Sequence, residues 1–310
     1  MIQASAPAKI ILLGEHAVVY GQPAIAMPVS KLRATAHASV SDFGTGLSIE
    51  ASDLGITSQI SLERQDRQDP MSAVALLVLE ELKLPLPDLK IRVQSDIPLA
   101  SGLGSGAAIS TAVARVLSSA LDRKLEDEAL NRIVYAVEKI HHGTPSGVDN
   151  TVIVYERPVY FVRGGALDFL PVQGSFHFLI AHTGISSSTR SVVEDVNRLY
   201  KTDPNHYGSV FESIGELVEQ ALLALQNDDA VELGALMSKN HLYLQQLTVS
   251  SPELDRLVQA ALDAGALGAK LSGGGRGGNM IALVSQDKLA LVKDALVRAG
   301  AIHVFDTILN

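Results

Sequence analysis

The amino-acid sequence predicts an α+β fold built as two lobes. Short or alternating apolar runs, the pattern of strands, dominate residues 1–100, whereas apolar residues at helical spacing dominate residues 189–264. Because strands and helices come in blocks with few β-α-β repeats, a layered parallel sheet is not favoured. The chain has 310 residues, and a single core rarely grows beyond roughly 250–300 residues. We therefore predict an N-terminal lobe at residues 1–170 and a C-terminal lobe at residues 171–310.

Most of the predicted strands lie in the first half of the chain, where Gly, Ser and Asp separate the apolar runs. They are Lys9–Leu13, Ala24–Met27, Arg33–Val40, Leu47–Ala51, Ile56–Leu62, Leu89–Val93, Val152–Tyr155 and Val159–Val162. Helical spacing predicts helices at Pro70–Leu82, Ser105–Leu121 and Glu126–His141. Gly and Pro are frequent in His142–Asn150, which is predicted to be a loop.

The second half is predicted to be mainly helical. Its predicted helices are Thr189–Tyr200, Tyr207–Asn227, Ala230–Leu247, Pro252–Ala264 and Lys288–Ala299. Its predicted strands are Phe176–Ala181, Ala269–Leu271, Met280–Val284 and Ile302–Ile308.

Composition excludes several classes of function. The net charge of −9 opposes non-specific binding to nucleic acid or membranes. The absence of cysteine excludes disulfides, thiolate catalysis and cysteine-based zinc sites. No apolar run approaches the length of a membrane span, and Glu15 interrupts the apolar run Ile10–Leu13 too soon for a signal peptide. We expect a soluble, cytoplasmic protein with neither a nucleic-acid nor a membrane partner.

A glycine-rich segment, Pro98–Ala108, lies between a predicted strand and a predicted helix. Gly102, Gly104 and Gly106 permit positive φ and let backbone N–H groups approach a ligand closely. The following helix points its unpaired N–H groups into the same space. This combination is typical of phosphate binding, although a flexible strand-to-helix turn explains the glycines equally well.

Two commoner phosphate-binding loops do not fit this segment. A P-loop ends in Gly-Lys-Ser or Gly-Lys-Thr, and neither follows here. Ala107 formally satisfies the dinucleotide-binding fingerprint, but that fingerprint requires a strand after the helix, where this sequence predicts another helix.

Three polar residues interrupt the apolar segment near the N-terminus, namely Lys9, Glu15 and His16. Their position indicates burial at a functional site. The ordinary alternative is a lysine that extends to solvent and a solvated Glu-His turn.

Two carboxylates, Glu138 and Asp149, flank the segment His141–Val148. In phosphoryl transfer one carboxylate can hold Mg²⁺ while another orients the attacking hydroxyl. The ordinary alternative is a surface glutamate and an aspartate that caps a turn. The adjacent His141 and His142 lack the spacing of a helical metal site, so we expect packing or substrate contact from them.

Two later segments are further candidates for ligand contact. The second glycine loop, Gly273–Gly278, could offer backbone donors to a triphosphate or a substrate, with Arg276 adding charge. A flexible connection between strands explains it equally well. The segment Thr183–Arg190 precedes a predicted helix, and capping of that helix is its ordinary explanation.

Taken together, these segments resemble the GHMP kinase superfamily over nearly the whole chain and in the same order. Within it, the sequence is similar to the mevalonate kinases. The specific motifs are Gly14–Gly21 and the segment from Glu138 to Asp149, which ends in His-Gly-Thr-Pro-Ser-Gly-Val-Asp. The resemblance implies an N-terminal lobe like ribosomal protein S5 and a ferredoxin-like C-terminal lobe.

The resemblance also implies a reaction, ATP plus mevalonate to ADP plus 5-phosphomevalonate, with Mg²⁺ as cofactor. It implies that Asp149 is the catalytic carboxylate, that Lys9 pairs with it, and that Glu138 binds Mg²⁺. His16 would lie near the mevalonate carboxylate. The other implied substrate contacts are Glu15, Thr189 and Arg190, and the implied nucleotide contacts are Ser101, Gly102, Leu103, Gly104, Ser105, Gly106 and Ala107. The family is often dimeric, so a homodimer is an option.

The sequence departs from the family pattern at three positions. Gly106 stands where the family usually has a serine that helps to hold Mg²⁺, so either Ser105 substitutes as a metal ligand or water completes the shell. Arg276 and Asn279 stand where Gly and Cys are usual. Arg276 either contacts phosphate or forms a salt bridge.

Three alternative functions stay open at this point. Two of them are kinases with a different acceptor, either the 3-hydroxyl of mevalonate or phosphomevalonate. Phosphomevalonate would require extra cations, for which Lys31 and Arg33 are the expected sources. The third alternative is a catalytically silent metabolite sensor, which would be expected to have lost Lys9 or Asp149. Both residues are present.

Overall fold

A computed structural model of the protein describes residues 2–51, 53, 55–61, 69–98, 101–142 and 145–310, with the backbone alone at residues 141 and 142. The chain forms two compact units, each assembled from several segments. The first comprises Met1–Ala8, Ser30–Pro98 and Gly104–Glu156, and the second comprises Lys9–Val29, Leu99–Leu103 and Arg157–Asn310. The lobe boundary between residues 170 and 171 stays a prediction.

The sheet of the first unit contains both antiparallel and parallel pairs. The first five strands of the chain are β1 (Ile2–Leu13), β2 (Ala24–Val40), β3 (Leu47–Ala51), β4 (Ile56–Gln59) and β5 (Leu89–Ser95). In this unit the strand order is β4-β3-β5-β2, and β1 also pairs with β2. Strand β5 is antiparallel to β2 and parallel to β3. Its alternate side chains Leu89, Ile91 and Val93 are buried, as the period of a half-buried strand requires.

Four helices of the first unit pack on one another, and α2 also packs on β5. They are α1 (Pro70–Leu82), α2 (Ser105–Ala120), α3 (Asp127–His142) and α4 (Val148–Tyr155). Asp69 caps α1 by accepting a hydrogen bond from the backbone N–H of Ser72. Four of the five alanines of α2 are buried, and their small size lets neighbouring elements approach this helix closely.

Helix α4 corrects two sequence-based predictions. Val152–Tyr155 was predicted to be a strand and lies in α4, because an apolar run this short carries no periodicity that separates strand from helix. The loop predicted at His142–Asn150 is wrong at its end, since α4 begins at Val148 directly after Gly147, whose φ is 97°. Gly143 and Thr144 lie outside the described residues.

Strand β2 corrects a third prediction. The strands predicted at Ala24–Met27 and Arg33–Val40 are one strand that passes through Pro28. Proline cannot donate a backbone hydrogen bond. Pro28 lies between the residues that pair with the later strand Val159–Phe161, which end at Ala26, and those that pair with β5, which begin at Ala34. The strand predicted at Ile56–Leu62 ends at Gln59, and Leu62 is outside the described residues.

The end of α4 is fixed by an arginine cluster within the first unit. Glu156 follows the helix with φ of 50°, a left-handed conformation. Its carboxylate accepts hydrogen bonds from Arg33 at 3.0 Å and from Arg115 at 2.5 Å. Arg115 also donates to the carbonyl of Val154 at 2.7 Å. The arginines therefore hold the C-terminal end of the helix that carries Asp149.

The second unit contains a four-stranded antiparallel sheet and most of the helices. The later strands of the chain, all in this unit, are β6 (Val159–Phe161), β7 (Asp168–Phe169), β8 (Phe176–His182), β9 (Gly268–Ser272), β10 (Asn279–Val284) and β11 (His303–Leu309). The sheet order is β11-β8-β10-β9, while β6 pairs with the beginning of β2 and with β7. Its helices are α5 (Thr189–Thr202), α6 (Pro204–Gln226), α7 (Ala230–Gln246), α8 (Pro252–Asp263) and α9 (Leu289–Arg298). The predicted α+β class is confirmed.

The core of the second unit lies between its sheet and its helices. Leu179 of β8, Leu271 of β9, Leu257 of α8 and Val292 of α9 are all buried in one apolar cluster. Among the described residues no helix is both long enough and apolar enough to cross a membrane.

Helix α7 approaches β9 at a pair of glycines. A Cβ atom at Gly234 would collide with the carbonyl of Leu267, and one at Gly268 would collide with the backbone of Gly234. This contact brings α7, which carries Asn240 and His241, against β9.

We predict that Gly234→Ala destabilises the protein by about 1–3 kcal/mol, because a methyl group has no room at this contact. Gly208 in α6 is the matched control, since a Cβ there meets nothing within 4 Å. Gly208→Ala is expected to stabilise the protein by about 0.5–1 kcal/mol through the lower entropy of the unfolded chain. Urea denaturation of both variants checks the difference, and equal effects would contradict it.

Candidate active site

The turn after β1 places Glu15 and His16. Gly14 has φ of 100°, and a Cβ there would lie 2.5 Å from the carbonyl oxygen of Pro23. His16 has φ of 62°, which is uncommon for a residue other than glycine. Such a conformation persists only where surrounding contacts fix it. The prediction that Lys9, Glu15 and His16 are buried is confirmed.

Glu15 forms a buried ion pair with Lys270 of β9. The side chains are 1% and 0% exposed, and the lysine Nζ donates to Glu15 Oε1 and, at 2.6 Å, to the carbonyl of Leu271. Asn240 of α7 donates from Nδ2 to Glu15 Oε2 at 3.3 Å. Burial lowers the pKa of Lys270, and the neighbouring Glu15 carboxylate opposes that shift.

The imidazole of His16 is neutral near pH 7. Its Nε2 lies 3.0 Å from the carbonyl oxygen of Gly274. A carbonyl can only accept, so Nε2 carries the proton and donates it, and Nδ1 is an acceptor. Burial lowers the pKa of His16 to about 4. The ring therefore carries no charge with which to attract a carboxylate, and the predicted contact with a substrate carboxylate stays a prediction.

The second glycine loop is bound on several sides within the second unit. Ser272 Oγ donates to the carbonyl of Ile11 at 2.9 Å and accepts from its N–H at 3.1 Å, which ties β9 to β1. The carbonyl of Gly278 accepts from the N–H of Thr183 at 2.9 Å, from its hydroxyl at 3.0 Å and from Nδ1 of His182 at 3.0 Å. The loop is thus fixed in place by both neighbouring strands.

The first glycine loop, Ser101–Ala107, contributes its first three residues to the second unit. The carbonyl of Leu103 accepts a hydrogen bond of 3.0 Å from the backbone N–H of Lys9. The carbonyl of Ser101 accepts one of 2.6 Å from Nδ2 of Asn279. Leu99 and Ala100, which precede the loop, lie outside the described residues.

The remainder of the first glycine loop opens α2 in the first unit. Gly104 has the left-handed φ of 76° and precedes the first helical residue, Ser105. Ser105 Oγ is buried and has no hydrogen-bond partner within the described part of the chain. A Cβ at Gly106 would lie 3.1 Å from Oε1 of the buried Glu138. A carboxylate oxygen therefore lies against the first turn of α2, where the backbone N–H groups have no partners within the helix.

Asp149 is half-buried in the first turn of α4. The positive end of the helix dipole favours a negative charge at this position. Its neighbour Asn150 donates from Nδ2 to Oδ1 of Asn131 on α3 at 2.6 Å. The start of α4 is thus fixed to α3 next to the predicted catalytic carboxylate.

Thr189 and Arg190 are exposed in the first turn of α5. Ser188 caps this helix by accepting a hydrogen bond from the N–H of Ser191, so the capping interpretation of the segment is confirmed. A Cβ at Gly274 would lie 3.0 Å from Oγ1 of Thr189, so the second glycine loop contacts the start of α5.

Each unit therefore brings together part of the predicted site. The second unit joins the Glu15–His16 turn, the second glycine loop, Thr189 and Ser101–Leu103. The first unit places Glu138 against the start of α2. Among the described residues no group of three or more His, Asp and Glu side chains could hold a metal ion. A magnesium ion could still be held by one or two protein oxygens, because Mg²⁺ usually keeps several waters.

Three further residues of the site, Lys270, Asn240 and Ser272, were not predicted from the sequence. The sequence carried a signal for Lys270, because this lysine lies within the apolar segment Gly268–Leu271. A strand of this kind is buried at every position, so its lysine is buried too. Asn240 and Ser272 carried no such signal, since polar residues of their kind are common on helices and at strand ends.

The pKa of His16 predicts a pH dependence of stability. The unfolded chain binds a proton at His16 below a pKa of about 6.5, whereas the folded protein binds it only below about 4. Stability is therefore lost as pH falls from about 6.5 to 4, by about 3 kcal/mol from this group. Urea denaturation at several pH values between 4 and 7 gives the free energy of unfolding. Its dependence on pH should be weaker for His16→Gln than for the wild type. The same pH dependence in both proteins would contradict the conclusion that the imidazole is buried and neutral.

Comparison with known proteins gives the family. The model for the GHMP kinases N terminal domain matches residues 70–157, and the model for the GHMP kinases C terminal matches residues 213–302. A mevalonate kinase of Pyrococcus abyssi is 36% identical over 300 residues, which cover 91% of this chain and 88% of that protein. A mevalonate kinase of Thermococcus sibiricus is 34% identical, with 98% and 95% covered.

Solved structures agree with these relatives. The L. major mevalonate kinase in complex with R-mevalonate is similar with a TM-score of 0.84 and 30% identity, covering 99% of this chain and 95% of that one. The Streptococcus pneumoniae phosphomevalonate kinase in complex with phosphomevalonate and AMPPNP has a TM-score of 0.82 and 17% identity, covering 99% and 100%, a likeness of fold alone. The predicted GHMP kinase fold is thus confirmed, and the chain belongs to the GHMP kinase family.

Proposed function

We propose that the protein is a kinase that transfers the γ-phosphoryl group of ATP to the 5-hydroxyl of mevalonate, a step of isoprenoid biosynthesis. The observation that carries this proposal is the similarity to mevalonate kinases over more than nine-tenths of the chain. The buried Lys9 and Glu138 and the helix-borne Asp149 are the residues that such a reaction needs, and all are present.

The first glycine loop is the proposed triphosphate site. Backbone N–H groups at the start of α2 have no partners within the helix, and the positive end of its dipole favours an anion. The helix begins with Ser105, Gly106 and Ala107, whose small side chains leave the approach clear.

Ser105 and Glu138 are the proposed Mg²⁺ ligands. Both offer oxygen, the ligand atom that Mg²⁺ prefers, and the buried Ser105 Oγ has no hydrogen-bond partner among the described residues. The residues present therefore fit this ion. When bound, Mg²⁺ neutralises charge on the phosphate oxygens.

Asp149 and Lys9 are the proposed catalytic residues. The Asp149 carboxylate accepts the hydrogen bond of the attacking hydroxyl and takes its proton as the new P–O bond forms. The bond between the γ-phosphorus and the β,γ-bridging oxygen breaks, and ADP leaves. Lys9 contributes positive charge that stabilises the charge developing on the transferred group.

The acceptor is proposed to lie against the Glu15–His16 turn and the start of α5. Since His16 is neutral, Arg190 is the cation among the predicted acceptor contacts, and it lies in the first turn of a helix that itself favours an anion. We therefore propose that Arg190 and Thr189 bind the mevalonate carboxylate, in place of the contact predicted for His16. His16 Nδ1 is then available to accept a hydrogen bond from a substrate hydroxyl.

One of the two expected sources of extra positive charge for a phosphomevalonate acceptor is already engaged. Arg33, an expected source of extra positive charge, is committed to Glu156 and to Ser5 Oγ, with hydrogen bonds of 3.0 and 2.9 Å. Its guanidinium is therefore not available to a second phosphate.

The proposal extends to location and assembly. The net charge of −9 supports an enzyme without nucleic-acid or membrane partners, and a cytoplasmic location is part of the proposal. A homodimer is part of the proposal and rests on the resemblance to the family.

We predict that ADP release depends on mevalonate and that Asp149→Asn lowers kcat by about 100-fold or more without weakening ATP binding. The control is Asp294→Asn on the exposed face of α9, which should keep the wild-type rate. A coupled ADP assay with mevalonate, phosphomevalonate, homoserine and galactose measures this. Turnover of galactose or homoserine without turnover of mevalonate would disprove the proposed function, and a wild-type kcat in Asp149→Asn would remove this residue from catalysis.

We further predict that Glu138→Gln raises the Mg²⁺ concentration needed for tight ATP binding by roughly tenfold or more. Gly106→Ser should lower that concentration, because it adds a hydroxyl beside Glu138. Glu126→Gln, at an exposed ion pair with Lys124, is the control. Calorimetric titration of ATP at several Mg²⁺ concentrations gives the answer without turnover. An unchanged Mg²⁺ dependence in Glu138→Gln would exclude it as a ligand.

A further inference from the structure

Two residues of the second glycine loop and its border have no role in the function proposed above. Arg276 and Asn279 replace the Gly and Cys that the family resemblance leads one to expect. Both make specific hydrogen bonds, and the two side chains have different partners.

Arg276, within the loop, connects the loop to α5. Its backbone has φ of 55° and donates to the carbonyl of Val249 at 2.7 Å. Its guanidinium donates from Nε to the carbonyl of Thr248 at 3.1 Å and forms an ion pair through Nη1 with Asp195 of α5. The salt-bridge alternative for this residue is therefore the one that the structure supports. Its guanidinium is committed to α5 and to the turn after α7.

Asn279, directly after the loop, connects it to the first glycine loop. It is 1% exposed at the start of β10, and its Nδ2 donates to the Ser101 carbonyl at 2.6 Å. A Cβ at Gly278 would lie 2.8 Å from the same oxygen. The two backbones therefore come this close only because residue 278 is glycine, and the amide of Asn279 provides the hydrogen bond across the contact.

The chemistry of each side chain suits its contact. An amide is a neutral donor and can satisfy a buried carbonyl without bringing in a charge, whereas a thiol donates only weakly. A guanidinium offers several donors in a fixed plane, so one side chain reaches both a carbonyl and a carboxylate.

We propose that Arg276 and Asn279 are positioning residues that act on different substrates. Asn279 holds Ser101 and so sets the backbone of the first glycine loop, which binds ATP. Arg276 holds Asp195 and so sets α5, whose first turn binds the acceptor through Thr189 and Arg190. This inference rests on the proposed function, since it assigns one substrate to each of the two residues.

A pair of variants separates the two roles. Asn279→Asp replaces the donor by an acceptor facing the Ser101 carbonyl, so the Kd and KM for ATP should rise about tenfold or more, while the KM for mevalonate stays near the wild-type value. Arg276→Met removes the ion pair with Asp195, so the KM for mevalonate should rise severalfold while the Kd for ATP stays unchanged. Exposed positions provide matched controls, Asn205→Asp in α6 and Arg298→Met in α9.

The measurements are ATP binding by calorimetry and steady-state kinetics with each substrate varied in turn. If Asn279→Asp does not fold, Asn279→Ala removes the donor without adding charge and should weaken ATP binding alone. Arg276→Lys should recover part of the mevalonate KM because it keeps the charge. Equal changes in both KM values, or a loss of thermal stability with both KM values unchanged, would overturn the proposal.

Failure of the proposed function would be recognised separately. If the wild type does not phosphorylate mevalonate, the proposed function is wrong. The role proposed for Arg276 is then overturned too, because it requires that acceptor. The Kd for ATP still decides the role of Asn279, because that measurement needs no acceptor.

Discussion

The buried ion pair between Glu15 and Lys270 is the interaction on which the second unit's part of the site depends. Removing two charges from water costs several kcal/mol per ion, and their attraction offsets that cost only when further hydrogen bonds complete the geometry. Asn240 and the carbonyl of Leu271 supply those bonds. The pair joins the turn after β1 to β9, elements far apart in sequence. It therefore fixes the backbone of His16, whose φ of 62° would not persist without such support.

Beyond this pair, hydrogen bonds to backbone carbonyls hold the rest of this part of the site in place. His16 binds the carbonyl of Gly274, which contacts the start of α5, while the carbonyl of Gly278 takes three donors. Glycine permits these approaches because any Cβ would occupy the space where one backbone meets another. The glycine density that suggested flexibility thus reflects close packing around Ser101 and Thr189.

Much of the fold could be predicted because apolar spacing records burial locally. Helix α1 and strand β3 have the predicted bounds. The strand predicted at Val152–Tyr155 was wrong because four consecutive apolar residues are equally typical of a buried strand and a buried helix. The packing of α4 on α2 and α3 selects the helix. In the site, the polar residues near the N-terminus could be predicted as buried from their apolar surroundings. The partner of Glu15 could not, because it lies 255 positions away and no local pattern encodes that pairing.

The way the units share the chain limits how a protein of this kind can change during evolution. The second unit takes Lys9–Val29 and Leu99–Leu103 from sequence that otherwise builds the first. A gene fragment that encodes only residues 157–310 would lack Glu15 and leave Lys270 as an unpaired buried ammonium. Recombination at a single crossover therefore cannot exchange the second unit intact. Any new acceptor specificity would have to arise by substitutions in place, most readily at exposed residues such as Thr189 and Arg190 that the buried pair does not involve.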